Sequence, residues 1–251
     1  MKALNWIEYS IIFPFHNEKE NLPFLIDDAI KFVHYVETNC EFIFIDDNSS
    51  DNSLETVMSH LEQRHPSIGN LEVVFRKNVK NLGCHASVNR GLEIASGKYL
   101  LWFPTDNQIL PTSAIPLLHD LKRNRILHTV RAKRRDPIYR KILGRAWNYY
   151  TNLFLGLDVK DVDSVTFYQR EVFRVIAREI DGNGFVAQNT AQSLEMFVVA
   201  KQLGIPIIQR KILHEKRYSG EPKAITFKEA INSFIDVLRI RKKYLKSVEP
   251  Q

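Results

Sequence analysis

The stretch LLWFPTDNQIL (100–110) runs from an apolar segment straight into a polar turn, where a single carboxylate, Asp106, is followed by Asn107 and Gln108. Two other apolar runs end the same way. IIFPFHNE delivers Glu18, and FIFIDDNSSDNS delivers Asp46 and Asp47. Side chains of this kind accept hydrogen bonds and bind polar ligands. Acidic loops also cap turns locally, and that is the reading for Asp47. A second chemistry is cationic: RAKRRDPIYRKILGR (131–145) concentrates guanidinium groups, which grip phosphate oxygens in pairs. Arg131 and Arg145 are the candidate phosphate contacts there. Arg217 and Lys223 are added from the RYSGEPK turn, while Arg134 and Arg135 are read as facing a membrane.

Positioning these residues requires an ordered set of strand ends. The first hundred residues alternate short β-rich runs with longer amphipathic stretches, the pattern of βαβ units and a mainly parallel sheet. Strands are expected at 9–15, 41–45, 71–75, 99–103, 126–131 and 206–212. Helices are expected at 19–39, 87–95, 113–123, 139–155, 170–179 and 191–203, with Ser50 or Asp51 capping the helix after the second strand. In an open α/β sheet, ligands bind outside the carboxyl ends of the strands, so the acidic loops should converge on one site. A last helix carries Phe227, Ile231, Phe234, Leu238 and Leu245 near one face, with basic residues crowded at its end. The expected division is residues 1–223 as one α/β domain and 224–251 as a basic amphipathic appendage.

The 251 residues carry a formal charge of +6, which favours anionic partners. The basic residues form no recognisable RNA- or DNA-binding module, so nucleic acid is not expected. No stretch approaches the roughly 20 apolar residues of a membrane span. The first residues lack the apolar core of a secretory signal, giving an expectation of a cytoplasmic protein. Cys40 and Cys84 lack metal-ligand spacing and are read as free thiols; Cys84 and His85 are assigned to packing and surface.

Four stretches taken in order resemble the family 2 glycosyltransferases of the GT-A fold. They are IIFPFHNEKENL (11–22), FIFIDDNSSDNS (42–53), NLGCHASVNRGLEIASGKYLLWFPTDNQ (81–108) and DVDSVTFYQREVF (161–173). RKILGRAWNYYTNLFLGL (140–157) and the RYSGEPK turn (217–223) look most like the polyprenyl-phosphate sugar transferases. The resemblance implies that Pro14, Phe15, Glu18, Gly83, Asn89 and Thr105 line a nucleotide pocket and that Asp46 hydrogen-bonds the nucleobase. It implies Mg²⁺ or Mn²⁺ at the turn where the family carries DxD. Here the turn reads PTD, so Pro104 replaces the first acid and Asp106 remains, with Gln108 as a possible oxygen ligand. One carboxylate beside substrate phosphates is sufficient for Mg²⁺ in principle.

The implied reaction is inverting transfer of a sugar from a UDP- or GDP-sugar to a polyprenyl phosphate at the cytosolic membrane face, with Asp106 and Arg131 in the catalytic set. A peripheral attachment to an anionic membrane surface, or a membrane-protein partner, would bring it to a lipid acceptor. Two alternatives stand beside it. A sugar-hydroxyl acceptor, as in glycan assembly, needs a general base, for which Glu195 is the candidate. A noncatalytic nucleotide-sugar-binding relative would explain the missing first acid.

Overall fold

The structure is a computed structural model and describes residues 6–64, 70–132, 138–181, 184–187, 191–219 and 227–245. A seven-stranded sheet has the order β3-β2-β1-β4-β6-β5-β7. Its strands are β1 (Tyr9–Phe15), β2 (Cys40–Asp46), β3 (Leu71–Lys77), β4 (Tyr99–Trp102), β5 (Ile126–Ala132), β6 (Thr166–Gln169) and β7 (Ile207–Leu213). The helices are α1 (Leu22–Val36), α2 (Ser53–Arg64), α3 (Cys84–Ile94), α4 (Leu118–Arg123), α5 (Ile138–Leu155), α6 (Arg170–Asp181), α7 (Ala191–Gln202) and α8 (Phe227–Tyr244). Only β6 runs against its neighbours, pairing antiparallel with both β4 and β5. The other pairings are parallel, so β1, β2, β3, β4, β5 and β7 all end on one edge.

Every residue of β1 and β2 is buried, as expected for strands covered on both faces. Pro14 sits in this central strand without breaking the ladder. The Phe103 N–H donates to the Ile12 carbonyl and the Thr105 hydroxyl to the Pro14 carbonyl, so the proline ring faces the side where β4 has already ended at Trp102.

Two glycines of the third motif, Gly91 and Gly97, are packing devices. A Cβ on Gly91 would overlap the Ile12 side chain. A Cβ on Gly97 would lie 2.6 Å from the Ser10 backbone nitrogen and 2.9 Å from the Tyr9 carbonyl carbon, atoms that cannot step aside. The Gly97 N–H also donates to the Ser10 hydroxyl, which itself donates to the buried Glu41 carboxylate. Gly97→Ala should therefore destabilise the fold by about 2–3 kcal/mol, the usual cost of overpacking. Thermal unfolding reads this directly, and a wild-type melting temperature would refute the steric account.

The sequence-expected elements appear with shifted edges, and β6 is the strand that periodicity missed. It has four residues, too few to show alternation. The expected helix over 113–123 is a 3-10 segment, Pro111–Leu117, followed by the short α4, because Pro116 cannot donate within a helix. The helix after β2 begins at Ser53, later than the expected cap. At the C-terminal end α8 lies against α5 and α7, with Val237 and Ile240 fully buried among Leu155, Leu194 and Val198.

Candidate functional site

The loops at the carboxyl edge are tied to one another by hydrogen bonds. Asn17, in the left-handed conformation, accepts the Ser50 N–H on its side-chain oxygen, while its own N–H donates to the Ser49 hydroxyl. The Glu18 N–H donates to the Ser53 hydroxyl and the Lys19 N–H to Asp51. Asp51 also accepts the Ser53 N–H, so it starts α2 and fastens α2 to the loop after β1. This staples the loop carrying Glu18 to the loop carrying Asp46.

The two adjacent aspartates do different work. Asp47 accepts the N–H groups of Leu82 and Gly83 and the side-chain amide of Asn78, which shapes the loop from β3 into α3. Its role is a brace across more than thirty residues rather than the local cap expected. Gly83 adopts φ +88° there, a conformation that favours glycine. Asp46 is fully buried, and one of its oxygens accepts the Ser49 N–H. The other accepts no hydrogen bond from the described residues and lies 3.3 Å from the Lys77 ammonium. A buried carboxylate oxygen without a hydrogen bond is costly unless a ligand completes it. Lys77, half-exposed at the end of β3, is its only charged cover among the described residues.

The β4 turn is held from three sides. Thr105 is buried with its hydroxyl on the Pro14 carbonyl. Asn107 takes a left-handed conformation and donates its amide to the Asn21 carbonyl, and the Gln108 carbonyl accepts the Glu215 N–H. Asp106 is half-buried, and one oxygen accepts the Gln108 N–H. The carboxylate is thus oriented by its own turn. Among the described residues no three acidic, histidine or cysteine side chains cluster as a metal cage. A single carboxylate oriented by its own turn fits a cation that takes its remaining ligands from phosphate and water.

Arg131, next to last in β5, forms a bidentate ion pair with Asp161, at 2.8 Å from Nε and 2.6 Å from a terminal nitrogen. The Arg131 N–H donates to the same carboxylate. Beneath it the buried His128 bonds the Asp161 carbonyl and the Thr166 hydroxyl; burial pulls its pKa down to about 4 and keeps the ring neutral. Sequence reasoning noted the 161–173 motif but not this pairing, because the partners lie thirty residues apart.

Arg217 pairs with Glu18 at 3.2 Å and donates to the Ser219 carbonyl, closing the segment after β7 onto the loop after β1. Glu18 is engaged by Arg217 and by the Asn21 amide, and Pro14 and Phe15 are buried in β1. Asn89 lies on α3 and donates to Gln192 of α7, a helix-to-helix contact. Arg145 is exposed on α5. Lys223, Arg134 and Arg135 lie outside the described residues. Glu195 is fully buried; its carboxylate accepts the Val186 and Ala187 N–H groups and the Tyr244 hydroxyl at 2.8 Å, with Lys243 at 3.3 Å. Burial first, and then the Glu195 carboxylate, push the Tyr244 hydroxyl well above its ordinary range.

The glycosyl transferase family 2 profile matches residues 10–183, most of this sheet and all of its acidic loops. The chain is a family 2 glycosyltransferase. Among curated relatives of the transferase, the undecaprenyl-phosphate 4-deoxy-4-formamido-L-arabinose transferase of Pectobacterium atrosepticum is 25% identical over 232 residues. That match covers 91% of the chain but 66% of the relative. The protein of the same name from Yersinia pestis is 29% identical over 153 residues, 61% of the chain and 45% of the relative. The chain therefore spans at most about two thirds of the length of these relatives.

Solved structures confirm the fold. Glucosyl-3-phosphoglycerate synthase from Mycobacterium tuberculosis, in complex with Mg²⁺ and UDP, superposes with a TM-score of 0.65 at 14% identity, over 93% of the transferase and 79% of that chain. A mannosyltransferase from Pyrobaculum calidifontis with GDP-Man and Mn²⁺ gives 0.61 at 14% identity, over 97% and 66%. The fold is GT-A, with a mostly parallel sheet flanked by helices, as the four motifs imply.

Proposed function

We propose that the transferase moves a sugar from a nucleoside diphosphate to a polyprenyl phosphate at the cytosolic face of a membrane. The observation that carries the choice of acceptor is the state of Glu195. Its carboxylate is enclosed and accepts from three donors, with an ammonium beside it, so it is spent on holding α7, α8 and the 184–187 segment together. A sugar hydroxyl would need a base; a lipid phosphate is already an anionic nucleophile and needs orientation and charge screening. The names of the curated relatives, which specify undecaprenyl phosphate, support the same acceptor.

In this reading Asp46 accepts an N–H from the base once Lys77 swings aside, and the Asp47-braced loop through Gly83 shapes the pocket wall. Asp106, with Gln108, would hold Mg²⁺ or Mn²⁺, which when bound neutralises the diphosphate. Arg145 and Lys223 supply positive charge for the donor and acceptor phosphates, and Arg131 and Arg217, oriented by Asp161 and Glu18, would donate hydrogen bonds to them. An acceptor phosphate oxygen bonds to the anomeric carbon as the carbon–oxygen bond to the diphosphate breaks, inverting that centre and releasing the nucleoside diphosphate.

The test supplies UDP- and GDP-sugars with a short prenyl phosphate and looks for an acid-labile prenyl-phosphate sugar. Glu195→Gln should lower the melting temperature while reducing transfer less than about tenfold, since no proton is abstracted there. Transfer to sugar hydroxyls but not to prenyl phosphate, abolished by Glu195→Gln in a folded protein, would overturn the proposal.

A further inference from the structure

Helix α5 presents an apolar face that no described residue covers. Ile138, Ile142, Tyr149 and Leu153 recur at spacings of four and seven residues, with Tyr139 and Leu143 beside them, and all six are at least 58% exposed. Helix α8 adds Ile231, Phe234, Ile235 and Leu238, also exposed and also on one face. The two stripes are joined. Tyr150 and Trp147 of α5 pack on Phe234 of α8, with ring centroids 4.8 and 5.3 Å apart. Ten large apolar side chains on two touching helices exceed the scattered exposure normal for a soluble surface, and such patches mark interaction sites.

Charge decides the occupant. Helix α5 contains no acidic residue, and its flank carries Lys141 and Arg145. On α8, among the described side chains, the one acid is Asp236, which is fully buried and paired with Arg239. Arg241 and Lys242 are exposed on that helix. The patch is therefore apolar in the middle and cationic at its edges. Among the described side chains of the two helices, a second copy of the chain would bring cations against cations with no exposed carboxylate to separate them. An anionic bilayer instead accepts the aliphatic and tyrosine side chains at the headgroup boundary and pairs its phosphates with the cations.

We infer that the joined face of α5 and α8 is the membrane-docking surface, lying flat on anionic lipid. No described helix is long and apolar enough to cross a membrane. The inference deepens, and rests on, the lipid-acceptor reading above, because docking by this face brings the site to an acceptor held in the bilayer.

The experiment is sedimentation of the full chain with vesicles of phosphatidylcholine alone, or of phosphatidylcholine and phosphatidylglycerol in equal parts, at low and high salt and without sugar nucleotide. Binding is expected to the anionic vesicles and to weaken with salt. It should fall by about tenfold or more in Ile142→Glu/Leu143→Glu and in Ile235→Glu/Leu238→Glu. Should either pair fail to fold, Lys141→Glu/Lys242→Glu tests the same face through charge alone. Wild-type binding unchanged in these variants, or no binding to anionic vesicles, overturns the surface. So does a dimer in sedimentation velocity that the glutamate variants dissociate without any vesicle binding. Transfer to a short, water-soluble prenyl phosphate separates the two readings. Variants that keep it while losing vesicle binding support the surface, and vesicle binding by a wild type that makes no such transfer sinks the acceptor and leaves the surface standing.

Discussion

Asp106→Ala should lower sugar transfer by about 10²–10³-fold, the loss seen when one electrostatic group facing developing charge is removed. A thousandfold loss corresponds to roughly 4 kcal/mol of transition-state stabilisation. The turn makes Asp106 the single carboxylate between Pro104 and Gln108. The fold should tolerate the change, because Asp106 is half-buried and its hydrogen bond within the turn is to the Gln108 N–H. Calorimetry of UDP and GDP with and without Mg²⁺ or Mn²⁺ separates binding from chemistry. The metal-dependent part of the affinity should vanish, and Asp106→Asn should behave like the alanine variant despite its similar shape. Full metal-dependent binding and turnover by Asp106→Ala would end the assignment.

Asp161→Ala is expected to cost both stability and transfer. The Arg131–Asp161 side chains are 15% and 6% exposed, so removing the carboxylate takes a bidentate ion-pair partner from a mostly buried guanidinium. Breaking such a pair costs about 3 kcal/mol or more, a drop of roughly 6–12 °C in melting temperature for a chain of this size. His128 should be little affected, because it bonds the Asp161 backbone carbonyl, which the substitution keeps. If Arg131 screens acceptor phosphate, losing the bidentate contact that orients its side chain should raise the KM for prenyl phosphate by about tenfold. A double-mutant cycle with Arg131→Ala provides the control: for acceptor affinity the double variant should be no worse than Arg131→Ala alone. Independent, additive losses would show that Asp161 supports the fold without positioning Arg131.

Burial of the Asp161 pair, the Asp47 brace and the Glu195 hub share a feature that explains what could be read early. Each joins residues from elements distant in sequence. Asp47 reaches Leu82 and Gly83, Asp161 reaches back to Arg131, and Glu195 reaches forward to Tyr244. A motif shows that an acid stands at a given place, but local pattern carries no information about which donors surround it. That is why Asp47 looks like a turn cap and Glu195 like a free base when read along the chain.

The sequence by itself determined six of the seven strands and the edge at which they end. Apolar runs such as IIFPF and FIFI can be buried only as strands covered on both faces, and the polar residues that terminate them must then emerge together. It also determined the family, through four short motifs in order. Tertiary structure alone decided the reversed β6, whose four residues are placed by pairing with β4 and β5 rather than by their own periodicity. It alone decided that Asp46 keeps one oxygen without a hydrogen bond from the described residues while both Glu195 oxygens are engaged, and that the apolar faces of α5 and α8 meet as one surface. The physical reason is common to all three: hydrogen-bond satisfaction and burial are properties of neighbours in space, and those neighbours are chosen only when the sheet and its helices close.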